Sequence, residues 1–278
     1  MNVFIILGLS YLSIQIQSLE IHDFIKNASK NSSGYALYFG EGQNSDKKWD
    51  VNKPIPYTFA EDLEDEEIEL VKKGLKMITD AAPCITFKHD PEADSSGKHY
   101  IYYYRMENVK EICGVSPMGK TPNNVNGIQL NFGDRVCPNE RMFGIAAHEI
   151  RWDKIDPQAF GAFVTLDEER FSSYGVPYEY DSIMHQNSTL GSKFSRQATM
   201  FPLTGRAKNT KKMGQRKYLS KGDKELLNKM YCWTKCEDHD INCGFWALNG
   251  RCKNKDKKKS MEEKCGLSCG YCGGTKHY

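Results

Sequence analysis

Apolar positions recur with a helical period in one long segment of the chain and alternate along several shorter ones. Residues 61–80 carry apolar side chains at intervals of three or four positions, which predicts an amphipathic helix. The apolar positions are Ile68, Val71, Leu75 and Ile78. Short runs rich in β-branched and aromatic residues predict strands. These runs are Ile55–Phe59 and residues 85–87, 99–104 and 125–132.

Two more helices are predicted in the second half of the chain. One covers residues 139–150, and the other begins after Ser220 and ends near Tyr231. Ser220 is a favourable N-cap, and Asp223 lies three positions later, as in a capping box. Because helices and strands are segregated along the chain rather than alternating, the pattern favours an α+β fold over a doubly wound sheet.

The N-terminal part of the chain differs in character from the rest. Residues 1–18 contain an apolar run at 3–12 and then a more polar stretch, as in a secretory signal peptide; a buried N-terminal helix or strand is the alternative. The run is too short to span a bilayer, so no transmembrane segment is expected. Residues 19–48 are polar, rich in Gly, Ser and Asn, and without a period, which predicts a pro-segment or linker.

Cysteine usage supports secretion to an extracellular location. The 10 cysteines are an even number that suits an oxidising compartment and a set of disulfide bonds. Six of them lie in residues 236–272, a stretch too short for a self-sufficient core, so disulfides are expected to stabilise it. The C-x-x-C spacing of Cys269 and Cys272 leaves a metal knuckle as the alternative. Three N-x-S/T sequons predict glycosylation at Asn27, Asn31 and Asn187.

The balance of charges excludes one class of partner. Lys and Arg number 38 and Asp and Glu 36, for a formal net charge of +2, so no nucleic acid is expected to bind. The lysine-rich run at residues 253–259 predicts a solvated loop, with an anionic matrix or membrane surface as the alternative.

The candidate chemistry lies in residues 144–150, where His148 is followed by Glu149. This pair begins the zincin motif H-E-x-x-H, which extends in metzincins to H-E-x-x-H-x-x-G-x-x-H so that three imidazoles converge on one zinc ion. The later positions of the motif hold Trp152, Ile155 and Gln158 instead. Two of the three zinc ligands are therefore missing.

Several signatures, in this order and at these distances, resemble the astacin family of zinc metalloendopeptidases. They are Lys48-Trp49 with Ile55-Pro56-Tyr57, Cys84 with Phe87, Cys113-Gly114 with Cys137, Ala147-His148-Glu149, and Tyr180 to His185 with Phe194-Ser195. The cysteine spacing of the tail resembles a ShK-type domain, a pairing familiar among nematode secreted proteases. The resemblance covers residues 49–232 and 236–272, respectively.

The resemblance implies a two-lobed metzincin fold with a twisted sheet and an active-site helix, and a substrate that is an extracellular protein or peptide. It makes His148 the first zinc ligand, Glu149 the general base and Met184 the apolar floor of the Met-turn beneath the metal. The tail is expected to dock a protein partner. The implied disulfide bonds are Cys84–Cys232, Cys113–Cys137, Cys236–Cys272, Cys243–Cys265 and Cys252–Cys269.

Three departures from the family pattern bear on activity. One imidazole cannot hold a catalytic zinc. The flanking sequence resembles the family on both sides of Glu149, which suggests that about twenty residues are absent after it. Such a gap favours a skipped exon, a splice form or a faulty gene model. Gln186 stands where the family has tyrosine, and Glu41 only loosely matches the aspartate of the family's pro-segment switch. The sequence therefore predicts an inactive or severely impaired zinc metalloendopeptidase. The alternative is a non-catalytic secreted binding protein that uses the residual cleft or the ShK-like tail.

Overall fold

The computed structural model describes residues 36–106, 114–117, 119–130, 148–163, 171–194, 197–233 and 236–272. Within these ranges the chain forms both β-strands and α-helices. The strands are β1 (Ala36–Leu37), β2 (Ile55–Phe59), β3 (Phe87–His89), β4 (Tyr100–Arg105), β5 (Gly114–Val115), β6 (Val125–Leu130), β7 (His148–Ile150), β8 (Phe171–Ser172) and β9 (Met200–Pro202). The α-helices are α1 (Asp65–Ala81), α2 (Arg206–Thr210), α3 (Lys221–Leu227), α4 (Cys243–Leu248), α5 (Lys258–Lys264) and α6 (Gly266–Cys269).

A five-stranded sheet with the order β3-β2-β4-β6-β5 forms the first half of the described chain. Strands β2, β3, β4 and β6 run parallel, and only β5 is antiparallel to its neighbour. The α+β class is confirmed. The predicted strand at 85–87 is shifted in the structure to β3, because Ile85 instead caps the turn after α1, where its amide donates to the carbonyl of Ala82.

Helix α1 packs its predicted apolar face on this sheet. Leu75 is buried among strand residues, and Ile68, Val71 and Ile78 pack against the same cluster. The helix begins at Asp65 rather than Glu61, because the Glu64 amide donates to the Glu67 carboxylate at 2.8 Å and so caps its first turn.

Two short two-stranded sheets organise the rest of the chain. β7 pairs with β9, and β1 pairs with β8. A second buried cluster lies beside the β7–β9 pair and contains Ile155, Phe163, Leu190, Met200 and Met213. Helix α3 begins after Ser220 as predicted, with the Asp223 amide donating to the Ser220 hydroxyl, and continues as a π-helix over Asn228–Cys232.

The cysteine-rich tail consists of α4, α5 and α6 joined by disulfide bonds. The structure contains four of the bonds that the resemblance implies, namely Cys84–Cys232, Cys236–Cys272, Cys243–Cys265 and Cys252–Cys269. The Cys113–Cys137 pair lies outside the described residues, as do Asn27, Asn31 and residues 1–18. In the described ranges, every helix is too short or too polar to cross a membrane.

The segment before Trp49 is more ordered than the polar sequence of a predicted pro-segment or linker indicates. Residues 36–48 form β1 and two 3₁₀ turns, Gly40–Gly42 and Ser45–Lys47, and Tyr38 is fully buried. Polar composition without a period predicted a pro-segment or linker here. The ordering contacts come from residues more than 130 positions away, which a local pattern does not contain.

Candidate functional site

The His148–Glu149 pair lies in a strand. β7 runs antiparallel to β9, with His148 opposite Pro202 and Glu149 opposite Phe201. The prediction of an active-site helix that extends to residue 150 is therefore wrong at its C-terminal end, and residues 131–147 lie outside the described part of the chain.

Tertiary contacts explain why this segment is a strand. The Arg151 amide donates to the carbonyl of Thr199 at 2.7 Å, which continues the pairing of β7 with β9. Ile150 packs against the buried cluster that contains Ile155, itself fully buried. The local Ala-Ala-His-Glu sequence favours a helix, but backbone pairing and apolar burial outweigh that preference.

The Met-turn region, Tyr180 to His185, is held by Asp223 and Arg216, two polar side chains that follow it in sequence. The carboxylate of Asp223 accepts hydrogen bonds from the Ser182 hydroxyl (2.5 Å) and the Ile183 amide (2.9 Å). Arg216 donates to the carbonyls of Ile183 (2.7 Å) and His185 (2.8 Å). The turn is therefore fixed to α3 and to the segment before it.

Met184 does not form a buried floor. Its side chain is 64% exposed, whereas both residues that follow it are buried. This exposure gives no support to a role for Met184 beneath a metal, and that role stays a prediction. A buried position would need a neighbouring element over it, and in the described residues the zinc-motif segment is a strand paired elsewhere, with β9.

His185, the last residue of the Met-turn region, and Gln186, which follows it, are both buried. The His185 ring contacts Tyr178 and Tyr180, and its Nδ1 lies 2.6 Å from the Gln186 carbonyl oxygen. Burial lowers the pKa of His185 to about 4, so its ring is neutral at physiological pH. Gln186 is buried, and its side-chain Oε1 has no hydrogen-bond partner among the described residues.

The described residues of this site do not provide the ligands that a catalytic zinc ion needs. Such an ion needs three protein ligands and an open position for water. Within the described ranges, no three His, Cys, Asp or Glu side chains are grouped so that they could hold a metal ion. The residue four positions after His148 is Trp152, which lies beyond β7 in a 3₁₀ turn and is not a zinc-ligating residue type.

Two other residues singled out in the sequence, Asn187 and Glu41, lie in the described part of the chain. Asn187 is half-buried, and its side-chain oxygen accepts hydrogen bonds from the amide (3.0 Å) and hydroxyl (2.9 Å) of Thr189. Its glycosylation stays a prediction. Glu41 is exposed and has a left-handed backbone conformation with φ of 53°.

Comparison with known families identifies the lineage of this site. The family model described as Astacin, a peptidase family, matches residues 41–151 and 149–232, and the model described as ShK domain-like matches residues 235–272. The chain belongs to the astacin family. The two astacin segments overlap at residues 149–151, which begin at Glu149 of the pair. Astacin-family metalloproteinases use zinc, and this chain departs from the family where the zinc ligands would follow.

Two nematode relatives are similar over most of this chain. Zinc metalloproteinase nas-9 of Caenorhabditis elegans is 38% identical over 242 residues, which are 81% of this chain and 43% of that protein. Zinc metalloproteinase nas-11 of the same organism is 38% identical over 258 residues, 85% of this chain and 42% of that protein. The chain therefore spans less than half the length of these curated relatives.

A solved structure supports the fold. High choriolytic enzyme 1, a hatching enzyme zinc-protease from the medaka fish Oryzias latipes, superimposes with a TM-score of 0.52 and 19% identity. The match covers 66% of this chain and 94% of that one. At this identity the likeness shows the astacin fold alone.

Sequence reasoning missed the side chains that hold the Met-turn. Asp223 was predicted only as a helix cap, yet its carboxylate accepts from the Ser220 amide (2.8 Å) and from the turn. Arg216 and Gln215 were not singled out, although Gln215 donates to the Asp181 carbonyl at 2.7 Å. The Ser-x-x-Asp spacing gave a signal for the cap; nothing local pointed to contacts 40 positions away.

Proposed function

We propose that this chain is a secreted astacin-family protein without peptidase activity, which acts by binding an extracellular protein rather than by cleaving it. The observation that carries the proposal is that His148–Ile150 pairs with β9 as a strand. In the part of the chain that the structure describes, no three metal-ligating side chains are grouped together. Without a metal to activate water, Glu149 has no nucleophile to deprotonate. Secretion is supported by the apolar N-terminal run and by the disulfide bonds.

Zinc content and proteolysis test the loss of activity. The purified full-length chain should contain far less than one zinc per molecule by elemental analysis. Its hydrolysis of casein should be about a thousandfold or more slower than that of an intact astacin such as high choriolytic enzyme 1, because no metal-bound hydroxide is formed. The matched variant His148→Ala should change neither measurement.

A variant with a restored zinc motif tests whether the missing ligands alone cause the loss of activity. It carries, after Glu149, about twenty inserted residues that complete the motif H-E-x-x-H-x-x-G-x-x-H. It should recover zinc binding and chelator-sensitive proteolysis if only the missing ligands cause the loss. Stoichiometric zinc in the chain as written, together with proteolysis abolished by His148→Ala, would refute the proposal.

A second candidate function is an active secreted zinc metalloendopeptidase whose central segment is longer than in this chain. It is favoured by one observation, the junction of the two family matches at residues 149–151 with sequence of the family on both sides. Under this alternative, the gap belongs to a splice form or a gene model rather than to the working protein.

The native secreted protein distinguishes the two candidates. Trypsin cleaves after Arg141 and Arg151, so the shortened chain should yield the peptide of residues 142–151 in mass spectrometry of the secreted material. Detection of that peptide supports the non-catalytic protein. If the only peptides that start at Met142 continue to a second and a third histidine, the active enzyme is the correct function.

A further inference from the structure

The segment just before the astacin domain is bound along its length by two parts of the chain. β1 pairs with β8, with Ala36 opposite Ser172 and Leu37 opposite Phe171. Tyr38, the next residue, is fully buried. The segment of residues 36–40, here called the N-terminal strap, is therefore buried or half-buried at every position.

Tyr174 holds the strap from the astacin side. Its hydroxyl donates to the Leu37 carbonyl at 2.7 Å and accepts from the Phe39 amide at 2.9 Å. The Tyr174 backbone has a positive φ of 50°, and its carbonyl accepts from the nearly buried Lys229 ammonium at 2.8 Å. A buried cation and a rarely adopted backbone conformation thus place one hydroxyl between two strap residues.

The ShK domain holds the strap from the other side. The Tyr38 hydroxyl donates to the backbone carbonyl of Asp238 at 2.6 Å. Asp238 is 1% exposed, and its carboxylate accepts from the amide (2.9 Å) and the hydroxyl (2.5 Å) of Ser268. Tyr38, Tyr174 and Leu267 form one buried cluster, so the strap lies inside the interface between the two domains.

Gly40 shows how close this approach is. A Cβ added at Gly40 would overlap the Asp238 carbonyl oxygen and the Tyr38 hydroxyl. Gly175 lies on the opposite side of the interface, and a Cβ there would approach the Ser268 carbonyl oxygen to 2.6 Å. Backbone therefore meets backbone at both points, as expected for a close-packed, specific interface.

Beyond the strap, the chain is accessible before it rejoins the astacin domain. Gly42, Gln43, Ser45 and Asp46 are exposed. Here the chain borders a cleft of about 940 Å³ to which the astacin side contributes Lys48 and Lys120 and the ShK domain contributes acidic side chains. These are Glu237, Glu262 and Glu263. A cut in this loop leaves the contacts of residues 36–40 intact.

We infer that the ShK domain is an internal clasp whose partner is the N-terminal strap, so that the strap stays bound to both domains after the chain is cut between Gly42 and Trp49. The strap is then a permanent structural piece rather than a pro-segment that leaves on cleavage. The ShK surface around Asp238 and Leu267 is consequently not available to an external partner while the strap is in place.

The full chain with a recognition site for a sequence-specific protease inserted between Gly42 and Gln43 tests this inference. After complete cleavage, the N-terminal fragment should co-elute with the rest of the protein in non-denaturing gel filtration, and intact-mass measurement should detect both pieces. Denaturant should separate them. Elution of the cleaved wild-type fragment on its own would overturn the inference.

Two variants and one control show whether the clasp contacts cause retention. Gly40→Ala should release the fragment about tenfold faster or more, because an added methyl cannot fit a close-packed site. Tyr38→Phe keeps the buried ring but removes the bond to the ShK domain, and should release it about fivefold to tenfold faster. Gly74→Ala, where a Cβ meets nothing within 4 Å, should leave release unchanged. Equal retention by all three variants would overturn the assignment to the ShK domain.

Discussion

Replacing both Cys84 and Cys232 by alanine is expected to lower the free energy of unfolding by about 5 kcal/mol. The bond joins residues 148 positions apart and thus removes more loop entropy from the unfolded chain than any other described disulfide. It ties the turn after α1 to Cys232 at the end of the π-helix. At the start of the same π-helix, the Asn228 side chain donates to the Ala81 carbonyl at 2.8 Å. A loss of this size is comparable to the whole stability of a modest domain.

Equilibrium unfolding in guanidinium chloride under non-reducing conditions measures this effect, with tryptophan fluorescence as the probe. The matched control is the double alanine variant of Cys252 and Cys269, a bond that closes only 17 residues of the tail. Its cost should be about 3 kcal/mol and should be confined to the ShK domain. If the two variants shift the astacin-domain transition equally, the long-range bond does not have the role assigned to it.

Much of the first half of the fold could be predicted from local pattern. α1 and the strands β2, β4 and β6 have regular apolar spacing and pack against one another, so periodicity, burial and pairing agree. The start of α3 was equally readable, because a capping box is a local device.

The candidate site could be predicted only in part. His148 and Glu149 were recognisable from residue type and spacing, but their conformation depends on pairing with residues 200–202, some 50 positions later. Tyr38 is similar, since its burial depends on Tyr174 and on Asp238, which is 200 positions away. Such contacts carry no local signature, and tertiary packing overrides propensity at both places.

Acidification is expected to destabilise the protein through His185. Burial of this ring lowers its pKa to about 4, the carbonyl of Gln186 partly opposes that effect, and the positive charge of Arg216 adds to it. In the unfolded chain the imidazole binds a proton below about pH 6.5. The unfolded state therefore binds more protons than the folded state between about pH 6.5 and about pH 4, and stability falls as the pH decreases through that window.

The expected loss is about 2 kcal/mol between about pH 7 and about pH 5, since each pKa unit corresponds to about 1.4 kcal/mol. Unfolding free energies measured at several pH values for the wild type and for His185→Gln should differ in slope, with the variant flatter over this window. His239→Gln, which replaces an exposed histidine of the tail, is the matched control and should retain the wild-type slope. A wild-type slope in His185→Gln would mean that another buried group causes the acid sensitivity and that the neutral His185 ring contributes nothing to it.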